Sequence, residues 1–325
     1  MDRRSEFDII RDLFSPLARG APGALGLQDD AAILSHSPGH ELVVTMDTIL
    51  AGVHFMAGDP YDLIARKAIR VNLSDLAAMG ARPVGLFIGM SLTEAVGDNE
   101  LEAFAIGIAQ DCAKYDVTIL GGDTTIGTQT LTITVTAVGE VEAGMELLRS
   151  GAKVGDKVFV SGTIGDAGLG LRVLGGFIKT ANAAEKKYLC ERYQLGEPRI
   201  QLGRGLVGIA SACIDVSDGL IADFGHVCNA SGTGGRINAE EVPLSTVAKR
   251  LLQSDQSRRM ALTSGDDYEL LFTAAPEKER EVYEVAEKVN VPVSTIGYIE
   301  EGDKTIVLDR NSKEIRFSYK GYQHL

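Results

Sequence analysis

Five aspartates occupy positions where a carboxylate could bind a metal ion. One lies in an apolar segment predicted to be helical, and four stand where a predicted strand ends; they are Asp75, then Asp30, Asp47, Asp123 and Asp215. Oxygen ligands without His or Cys suit Mg²⁺, which typically takes one or two carboxylates and completes its octahedron with water and phosphate oxygens. A single strand-terminal aspartate is more often a helix cap or a turn former. Five in similar positions indicate an acidic site that holds several ions around a polyphosphate.

Asp75 and Asn72 are three residues apart in the stretch 71–83, so they share one face of a helix. The surrounding apolar residues are too closely spaced for a surface helix. No Lys or Arg lies one turn away on that face, and a buried carboxylate either takes up a proton or finds a cation. Two interpretations follow. Either Asp75 binds a metal ion, or Asp75 and Asn72 hydrogen-bond a neighbouring loop.

The usual nucleotide-binding motifs are absent, since neither GxxxxGK[ST] nor a protein-kinase signature occurs. A GxGxxG pattern is formed by Gly203, Gly205 and Gly208, with Asp223 further along the chain. It follows no convincing buried strand and falls inside a helical pattern, so it indicates close helix packing ahead of a dinucleotide site. His54, taken alone, would be a hydrogen-bonded loop histidine.

Local patterns predict the elements that must position these residues in the first half of the chain. Pro60 suits the first position of a helix, and Gly80 suits its C-terminal cap. Helices are predicted over 5–14, 60–80 and 98–115, strands over 25–34, 41–47, 84–92, 117–120 and 131–137, and a loop over 52–55.

The glycine-rich and charged segment 143–156 is predicted to connect two domains. After it, strands are predicted over 157–161, 213–216, 236–238, 268–273 and 293–299, and helices after 162–168, near 185–193, from 198 to about 211, over 220–230 and over 277–289. This mixture predicts an α+β second domain.

The composition limits the partners and the compartment. A length of 325 residues favours two domains, and the net charge of −13, with no basic stripe, excludes nucleic acid and anionic membranes as partners. The four cysteines form no CxxC pair, so they are predicted to be core thiols of a reduced compartment and no zinc site. No segment has the length and hydrophobicity of a signal or membrane helix, so a cytoplasmic protein is expected.

A series of motifs along nearly the whole chain resembles the thiamine-monophosphate kinase family. The motifs are GLQDDAA (26–32), TMDT (45–48), GVHF (52–55), NLSDLAAMGA (72–81), GGDTT (121–125), DVSDGL (215–220), GDDYEL (265–270) and KGY (320–322). The wider superfamily, which includes aminoimidazole ribonucleotide synthetase and selenophosphate synthetase, shares the acidic ATP site. The segments 52–55 and 320–322 point to the thiamine branch. Met46 departs from the pattern, because Ser or Thr is usual there, and only a backbone metal contact would survive at this position.

The resemblance implies an α+β fold of two domains. Residues 1–142 would form an N-terminal ATP- and magnesium-binding domain, whose mixed sheet builds a β-barrel in a homodimer. Residues 143–325 would form an α+β C-terminal domain, with ATP and several Mg²⁺ ions held between the two.

The resemblance also assigns roles, residue by residue. The Mg²⁺ ligands would be Asp30, Thr45, Asp47, Asp75, Asp123, Asp215 and Asp218, and the catalytic group among them Asp30, Asp47, Asp75, Asp123 and Asp215. ATP would contact Tyr115, Gly122, Asp123, Arg149 and Ser217. Thiamine monophosphate would face His54, Asp266 and Tyr322.

The expected reaction is direct transfer of the γ-phosphoryl group of ATP to the phosphate of thiamine monophosphate, which gives thiamine diphosphate and ADP. Two alternatives remain. A related ATP-dependent synthetase would keep the acidic site and act on another small substrate, and a magnesium or nucleotide sensor would bind these ligands without turnover.

Overall fold

The computed structural model describes residues 4, 6–317 and 321–322, and it divides into two compact units. The first unit comprises Met1–Leu76 and Ala81–Gly144, and the second comprises Ala77–Gly80 and Met145–Leu325. Each unit has its own mixed sheet with helices, so the chain has an α+β fold. Lys320 of the KGY motif lies outside the described residues.

A four-stranded sheet is the frame of the first unit. Its strands are β1 (His40–Leu50), β2 (Arg82–Leu92), β3 (Thr118–Ile126) and β4 (Thr132–Glu142), in the order β1-β4-β2-β3. Neighbouring strands are antiparallel except β2 and β3, which are parallel. β1 and β3 therefore form the two edges, and within the described residues of one chain the sheet does not close into a barrel.

Among the described residues, the α-helices of the first unit are α1 (Glu6–Ile9), α2 (Tyr61–Ala78, whose last two residues belong to the second unit) and α3 (Asp98–Tyr115), and a π-helix, Ile10–Phe14, continues α1. From Ile64 to Ala78 nearly every residue of α2 is buried, as its closely spaced apolar residues predict. The predicted helical end is confirmed as well, because Gly80 follows α2 with a φ of +70°, the left-handed conformation that favours glycine.

The strand predicted over 25–34 is wrong. Pro22–Leu27 forms a 3₁₀ helix, and residues 28–39 have no regular structure. The physical reason lies in the backbone, because Leu25, Gly26 and Leu27 all have positive φ values of 51°, 67° and 59°, which an extended strand does not allow. Asp30 therefore does not follow a strand.

Two other predicted strand ends are also wrong. Asp47 lies inside β1 and Asp123 inside β3, because both strands continue along their neighbours. The ladder between β1 and β4 runs on to Leu50 opposite Thr132, and interstrand hydrogen bonds continue a strand past a polar side chain. Asp215 alone of the four ends its strand as predicted.

A six-stranded sheet is the frame of the second unit. Its strands are β5 (Lys157–Ser161), β6 (Ala212–Asp215), β7 (Gly234–Asn238), β8 (Leu270–Ala274), β9 (Val293–Glu300) and β10 (Thr305–Leu308), in the order β10-β7-β9-β5-β8-β6. Neighbouring strands are antiparallel except β10 and β7. In its core the rings of Phe159 and Phe272 stack with their centroids 5.2 Å apart.

The described part of the second unit contains seven α-helices. They are α4 (Asp166–Leu174), α5 (Ala183–Gln194), α6 (Ile200–Leu206), α7 (Leu220–Ser231), α8 (Thr246–Leu251), α9 (Asp255–Thr263) and α10 (Glu279–Lys288). The helix predicted to continue to about residue 211 ends at Leu206, because Gly208 adopts a φ of +73°. α8, α9 and β10 were missed by the sequence prediction, since they are short.

The GxGxxG pattern is explained by packing. Gly203 and Gly205 lie in α6, and a Cβ atom on Gly203 would overlap the carbonyl oxygen of Ala77. The four cysteines form no disulfide; Cys190, Cys213 and Cys228 are buried as predicted, and Cys112 is half-buried. Across the part of the chain that the structure describes, no helix is both long and apolar enough to cross a membrane.

Candidate active site

A group of polar side chains connects α2 with β1 in the first unit. Thr45 Oγ1 donates a 2.6 Å hydrogen bond to Asp75 Oδ2. One turn earlier on α2, the fully buried Asn72 accepts a 3.0 Å bond from the Asp47 backbone N–H at Oδ1 and donates to the Ala68 carbonyl at 3.0 Å. The hydrogen bonds to a neighbouring segment that one interpretation required are therefore present, and the segment is a strand. The metal-binding role of Asp75 stays a prediction.

The charges in this group repel one another. Burial and, to a smaller extent, the neighbouring Asp75 carboxylate raise the pKa of Asp47 to about 6. Both effects disfavour the ionised form of Asp47 when no cation is bound. Asp47, Asp75 and Thr45 offer oxygen atoms only, so the donor set fits a hard divalent cation.

Asp30, Gly122 and Asp123 line a second region of the first unit, a cavity of about 520 Å³. Both aspartates are exposed at its wall, beside apolar residues that include Phe14 and Leu27. The structure thus brings Asp30 and Asp123 to one cavity, and their role as ligands stays a prediction.

The pairing register separates this cavity from the Thr45 group. Asp123 stands opposite Gly89, which in turn stands opposite Thr134, whereas Asp47 stands opposite Val135 in the adjacent row. Side chains of adjacent rows project to opposite faces of a sheet. The structure therefore brings the first-unit aspartates together as two pairs on two faces and not as one cluster.

The glycine at position 122 has a structural reason of its own. A Cβ atom there would overlap the carbonyl oxygen of Ile88 on β2, so the close approach of the two strands requires glycine. Met46 points away from the Thr45 group by strand alternation, and its side chain is 64% exposed. Met46, the residue that departs from the family pattern, therefore lies on the opposite face of β1 from Thr45 and Asp47.

His54 lies in the turn that follows β1 and is half-buried. Its Nδ1 accepts a 3.1 Å hydrogen bond from the Leu50 N–H, and its carbonyl oxygen accepts a 2.7 Å bond from Lys67 Nζ on α2. Hydrogen bonds to both its ring and its carbonyl oxygen therefore fix the position of His54.

Tyr115 ends α3 within a cluster of cations. The guanidinium carbon of Arg70 lies 5.4 Å, and Lys114 Nζ 5.0 Å, from the centre of its ring. Arg70 also donates to both carboxylate oxygens of the fully buried Asp111, at 2.6 and 2.9 Å, and Arg66 adds a bond of 3.0 Å. Sequence reasoning missed this cluster, because Asp111 carried no motif and its partners lie more than 40 residues away.

In the second unit, loops meet at the N-terminal end of α7. Asp215 is buried at the end of β6, and Ser217 and Asp218 follow in the loop before α7. The Asp266 N–H donates to the Ser217 carbonyl at 2.9 Å, and the Tyr322 N–H donates to the Asp218 carbonyl at 3.0 Å. The structure therefore brings these five sequence-predicted residues together through the backbone.

Arg149 lies in a distant segment of the chain that a backbone hydrogen bond attaches to β6. Its side chain is exposed, and the preceding residue, Leu148, accepts a 2.8 Å hydrogen bond from the Cys213 N–H at the start of β6. The segment that carries Arg149 is therefore attached to the same strand that delivers Asp215.

Two residues of α7 near this group were missed. Ligand atoms of Asp218, Asp223 and His226 lie within 4.8 Å of one another. Burial, together with the smaller effects of the Asp215 and Asp218 carboxylates, raises the pKa of Asp223 to about 8. The spacing of three residues between Asp223 and His226 on one helical face was the signal that could have found them.

The loop that carries Asp266 is strained and strongly anchored. Asp266 and Tyr268 have backbone φ values of +68° and +50°, which residues other than glycine rarely adopt. Between them, the fully buried Asp267 accepts hydrogen bonds from the N–H groups of Gly165 (2.7 Å) and Ala167 (3.2 Å). Burial raises the pKa of Asp267 to about 8.

The next acid in the same motif anchors the other end of this loop. Glu269 is fully buried, and it accepts two 2.6 Å bonds from Arg199, one of 3.1 Å from Arg192 and one of 2.6 Å from Ser161 Oγ. Burying a charge this completely requires such a set of partners. Asp267 and Glu269 of the GDDYEL motif therefore hold the loop in place.

Comparison with known proteins places these features in a family. The model of the AIR synthase related protein N-terminal domain matches residues 28–141, and that of the C-terminal domain matches residues 153–310. The chain is 42% identical over 303 residues to thiamine-monophosphate kinase of Caulobacter vibrioides, which covers 92% of this chain and 85% of that protein.

The chain is also similar to solved structures of this family. The crystal structure of thiamine-monophosphate kinase from Stenotrophomonas maltophilia K279a is similar with a TM-score of 0.81 at 40% identity, over 86% of this chain and 89% of that one. The structure of AaThiL complexed with AMPPCP and TMP is similar with a TM-score of 0.79 at 32% identity, over 91% of each chain.

Proposed function

Because the chain belongs to the thiamine-monophosphate kinase family of AIR synthase related proteins, we propose that it phosphorylates thiamine monophosphate with ATP. The products are thiamine diphosphate and ADP. The observation that carries this proposal is the similarity, over 91% of the chain, to AaThiL in complex with AMPPCP, an ATP analogue, and TMP.

The chemistry of the acceptor suits a direct transfer. The second pKa of a phosphate monoester is about 6, so the attacking phosphate is largely ionised at neutral pH and needs no strong general base. The difficulty is repulsion between two polyanions within a protein of net charge −13. Charge neutralisation and in-line positioning are therefore the main tasks of the site.

Mg²⁺ fits the residues present, because Thr45, Asp47 and Asp75 form an oxygen-only donor set in which the ionised form of Asp47 is disfavoured without a cation. We propose two sets of ligands in the first unit, one of Thr45, Asp47 and Asp75 and the other, on the opposite face of the sheet, of Asp30 and Asp123, and a third set in the second unit, Asp215 and Asp218. When bound, the ions supply positive charge to the phosphate oxygens of both substrates. The protein's own part is to hold the carboxylates in place through Asn72, Thr45 and the backbone of β1.

The remaining site residues would contact the substrates. Tyr115, Gly122, Asp123, Arg149 and Ser217 are proposed for ATP, and Arg149, with its exposed guanidinium, would reach phosphate oxygens. His54 would bind the phosphate of thiamine monophosphate. Asp266 would face its cationic or protonatable ring, and the half-exposed Tyr322 could stack on a ring.

The domain roles and the homodimer belong to the same proposal. Residues 1–142 would bind ATP and magnesium and form the dimer contact, and residues 143–325 would complete the enzyme. Support for a dimer comes from the edge strand β1, where Leu42, Val44 and Met46 share one face and are 38%, 61% and 64% exposed. An apolar face on an unpaired edge strand is a surface that a second copy of the sheet can cover.

One assay tests the function. Purified protein is incubated with ATP, Mg²⁺ and thiamine monophosphate, and ADP and thiamine diphosphate are measured together; equal amounts of both are expected. ADP release only with an aminoimidazole precursor would identify a sister synthetase instead. Binding of ATP and Mg²⁺ with no product from either substrate would identify a sensor.

A further inference from the structure

The turn after β1 holds His54 by its ring as well as its backbone. The Leu50 N–H donates to His54 Nδ1 at 3.1 Å, while the Leu50 carbonyl accepts from the His54 N–H at 3.0 Å. The Gly52 N–H closes the turn by donating to the Phe55 carbonyl at 2.8 Å, and the Phe55 side chain is 2% exposed. The ring and the backbone of His54 are thus both tied to the last residue of the strand.

The bond from Leu50 fixes the protonation state of the ring. A backbone amide nitrogen can only donate, so Nδ1 must be the unprotonated nitrogen, and the proton of the neutral ring lies on Nε2. His36 and His40 offer a contrast within the chain, because their Nδ1 atoms lie 3.1 and 3.2 Å from the carbonyl oxygens of Ser37 and Pro38. Those contacts require a proton on Nδ1.

Lys67 holds the other side of His54. Its side chain lies on α2 and is only 3% exposed, and its Nζ donates a 2.7 Å hydrogen bond to the His54 carbonyl oxygen. A buried ammonium group is costly to desolvate, and a charge-assisted hydrogen bond offsets part of that cost. The turn is therefore attached to α2, the same helix that carries Asn72 and Asp75.

We propose that His54 meets the substrate phosphate as a neutral hydrogen-bond donor through Nε2–H, and that Lys67 is a positioning residue that holds His54 for this contact. The inference rests on the proposed function, because it takes His54 as a contact of thiamine monophosphate. A neutral donor suits this reaction. The attacking phosphate is already ionised, so it gains from a donor that orients its oxygens and has no use for a base at Nε2.

The first test reads the ring directly. Long-range ¹H–¹⁵N spectra of protein labelled at its five histidines, with His54→Gln to assign the signal, are expected to show His54 with protonated Nε2 and unprotonated Nδ1 at neutral pH. His36 and His40 serve as internal references. A His54 signal with protonated Nδ1, or with both nitrogens protonated, would overturn the inference.

The second test separates positioning from general packing by kinetics. Lys67→Met is expected to raise KM for thiamine monophosphate roughly tenfold, the size typical of losing a charge-assisted hydrogen bond, with little change in KM for ATP. Lys67→Arg keeps a donor and should recover most of this loss. In a His54→Ala background, Lys67→Met should add little, because Lys67 acts through His54. Full additivity, or equal changes in both KM values, would refute the role of Lys67.

Failure of the inference and failure of the proposed function give different results. If wild-type protein makes thiamine diphosphate but His54→Ala leaves KM for thiamine monophosphate unchanged, the inference is wrong and the kinase activity stands. If wild-type protein makes no thiamine diphosphate, the proposed function is wrong, and the substrate contact of His54 falls with it.

Discussion

Thr45 Oγ1 donates to Asp75 Oδ2 across 2.6 Å, and this hydrogen bond joins the middle of β1 to the last turns of α2. Asp75 is half-buried, and Asp47 lies two residues beyond Thr45 on the same face of β1. A carboxylate that accepts a hydrogen bond from a hydroxyl group still has lone pairs that can bind a cation. The same side chain can therefore serve the fold and the metal site, and substitutions can separate the two roles.

Asp75→Asn should reduce turnover by at least about 10 to 100-fold, the range seen for the loss of groups that merely support metal ligands. The amide oxygen can still accept from Thr45, and repulsion with Asp47 is removed. Stability without metal should therefore be unchanged or raised. Thermal melts in EDTA and turnover across a magnesium titration measure both effects. A destabilised and fully active Asp75→Asn protein would refute the metal assignment.

Asp47 should make the metal-free protein less stable as pH rises. Its pKa in the folded protein is about 6 against an ordinary value of 3.8, so the folded state binds the extra proton between these values. The stability linked to that proton is fully present below pH 3.8 and is lost as pH rises through 6. Melts of wild type and Asp47→Asn in EDTA should diverge over this range, with the variant more stable at neutral pH. Added Mg²⁺ should reverse the order, and identical pH profiles for the two proteins would contradict the prediction.

Glu140 should stabilise the first unit away from the proposed site. Its carboxylate is 6% exposed, accepts from Arg82 at 2.5 Å and from Ser37 Oγ at 2.9 Å, and has a pKa lowered to about 2, mainly by the Arg82 hydrogen bond. Glu140→Gln should cost about 1 to 3 kcal/mol of unfolding free energy at pH 7.

Because the pKa of Glu140 is lowered in the folded state, this stabilisation is present above its ordinary pKa of 4.5 and is lost as pH falls towards 2. Chemical denaturation at several pH values should therefore find the difference shrinking in acid. Glu142→Gln, at the exposed end of the same strand, is the matched control and should change little. A loss that does not depend on pH would point to packing instead.

Gly321→Ala should weaken binding of thiamine monophosphate. A Cβ atom at this position would overlap Ala222 Cβ and crowd the Asp218 carbonyl oxygen, so the segment that carries Tyr322 would have to move. KM for thiamine monophosphate should rise while KM for ATP changes less. Gly225→Ala on α7 is the control, since a Cβ atom there meets nothing within 4 Å and should if anything stabilise the helix. Unchanged kinetics in Gly321→Ala would remove Tyr322 from the substrate site.

Val44→Lys should dissociate the proposed homodimer. It places a charge in the middle of the apolar face of β1 formed by Leu42, Val44 and Met46. Light scattering after size exclusion should give twice the chain mass of 34.6 kDa for wild type and the single mass for the variant. Glu41→Lys adds a positive charge to the opposite face of the same strand and should leave the dimer intact. A monomeric wild type would contradict the proposal.

Much of the fold could be predicted from local sequence. The buried character of α2 follows from its apolar spacing, and most strands of both units follow from apolar runs or alternation. The failures are local as well. Residues 25–34 have the composition of a strand, but positive φ values at Leu25, Gly26 and Leu27 prevent an extended chain. The polar residues at 47 and 123 suggested strand ends, although pairing with the neighbouring strands extends β1 and β3 beyond them.

The sequence by itself determined the family, because eight motifs in a fixed order identify it whatever their packing. It also determined which elements are buried, because the spacing of apolar residues along the chain is a local property. The tertiary structure alone decided which atoms meet. Strand register and helix packing between distant segments decide three such contacts or separations. They are the hydrogen bond of Asn72 to the Asp47 backbone, that of Lys67 to the His54 carbonyl, and the placement of Asp47 and Asp123 on opposite faces of the sheet. A shift of one residue in register would invert every such relationship, and no local pattern encodes the register itself.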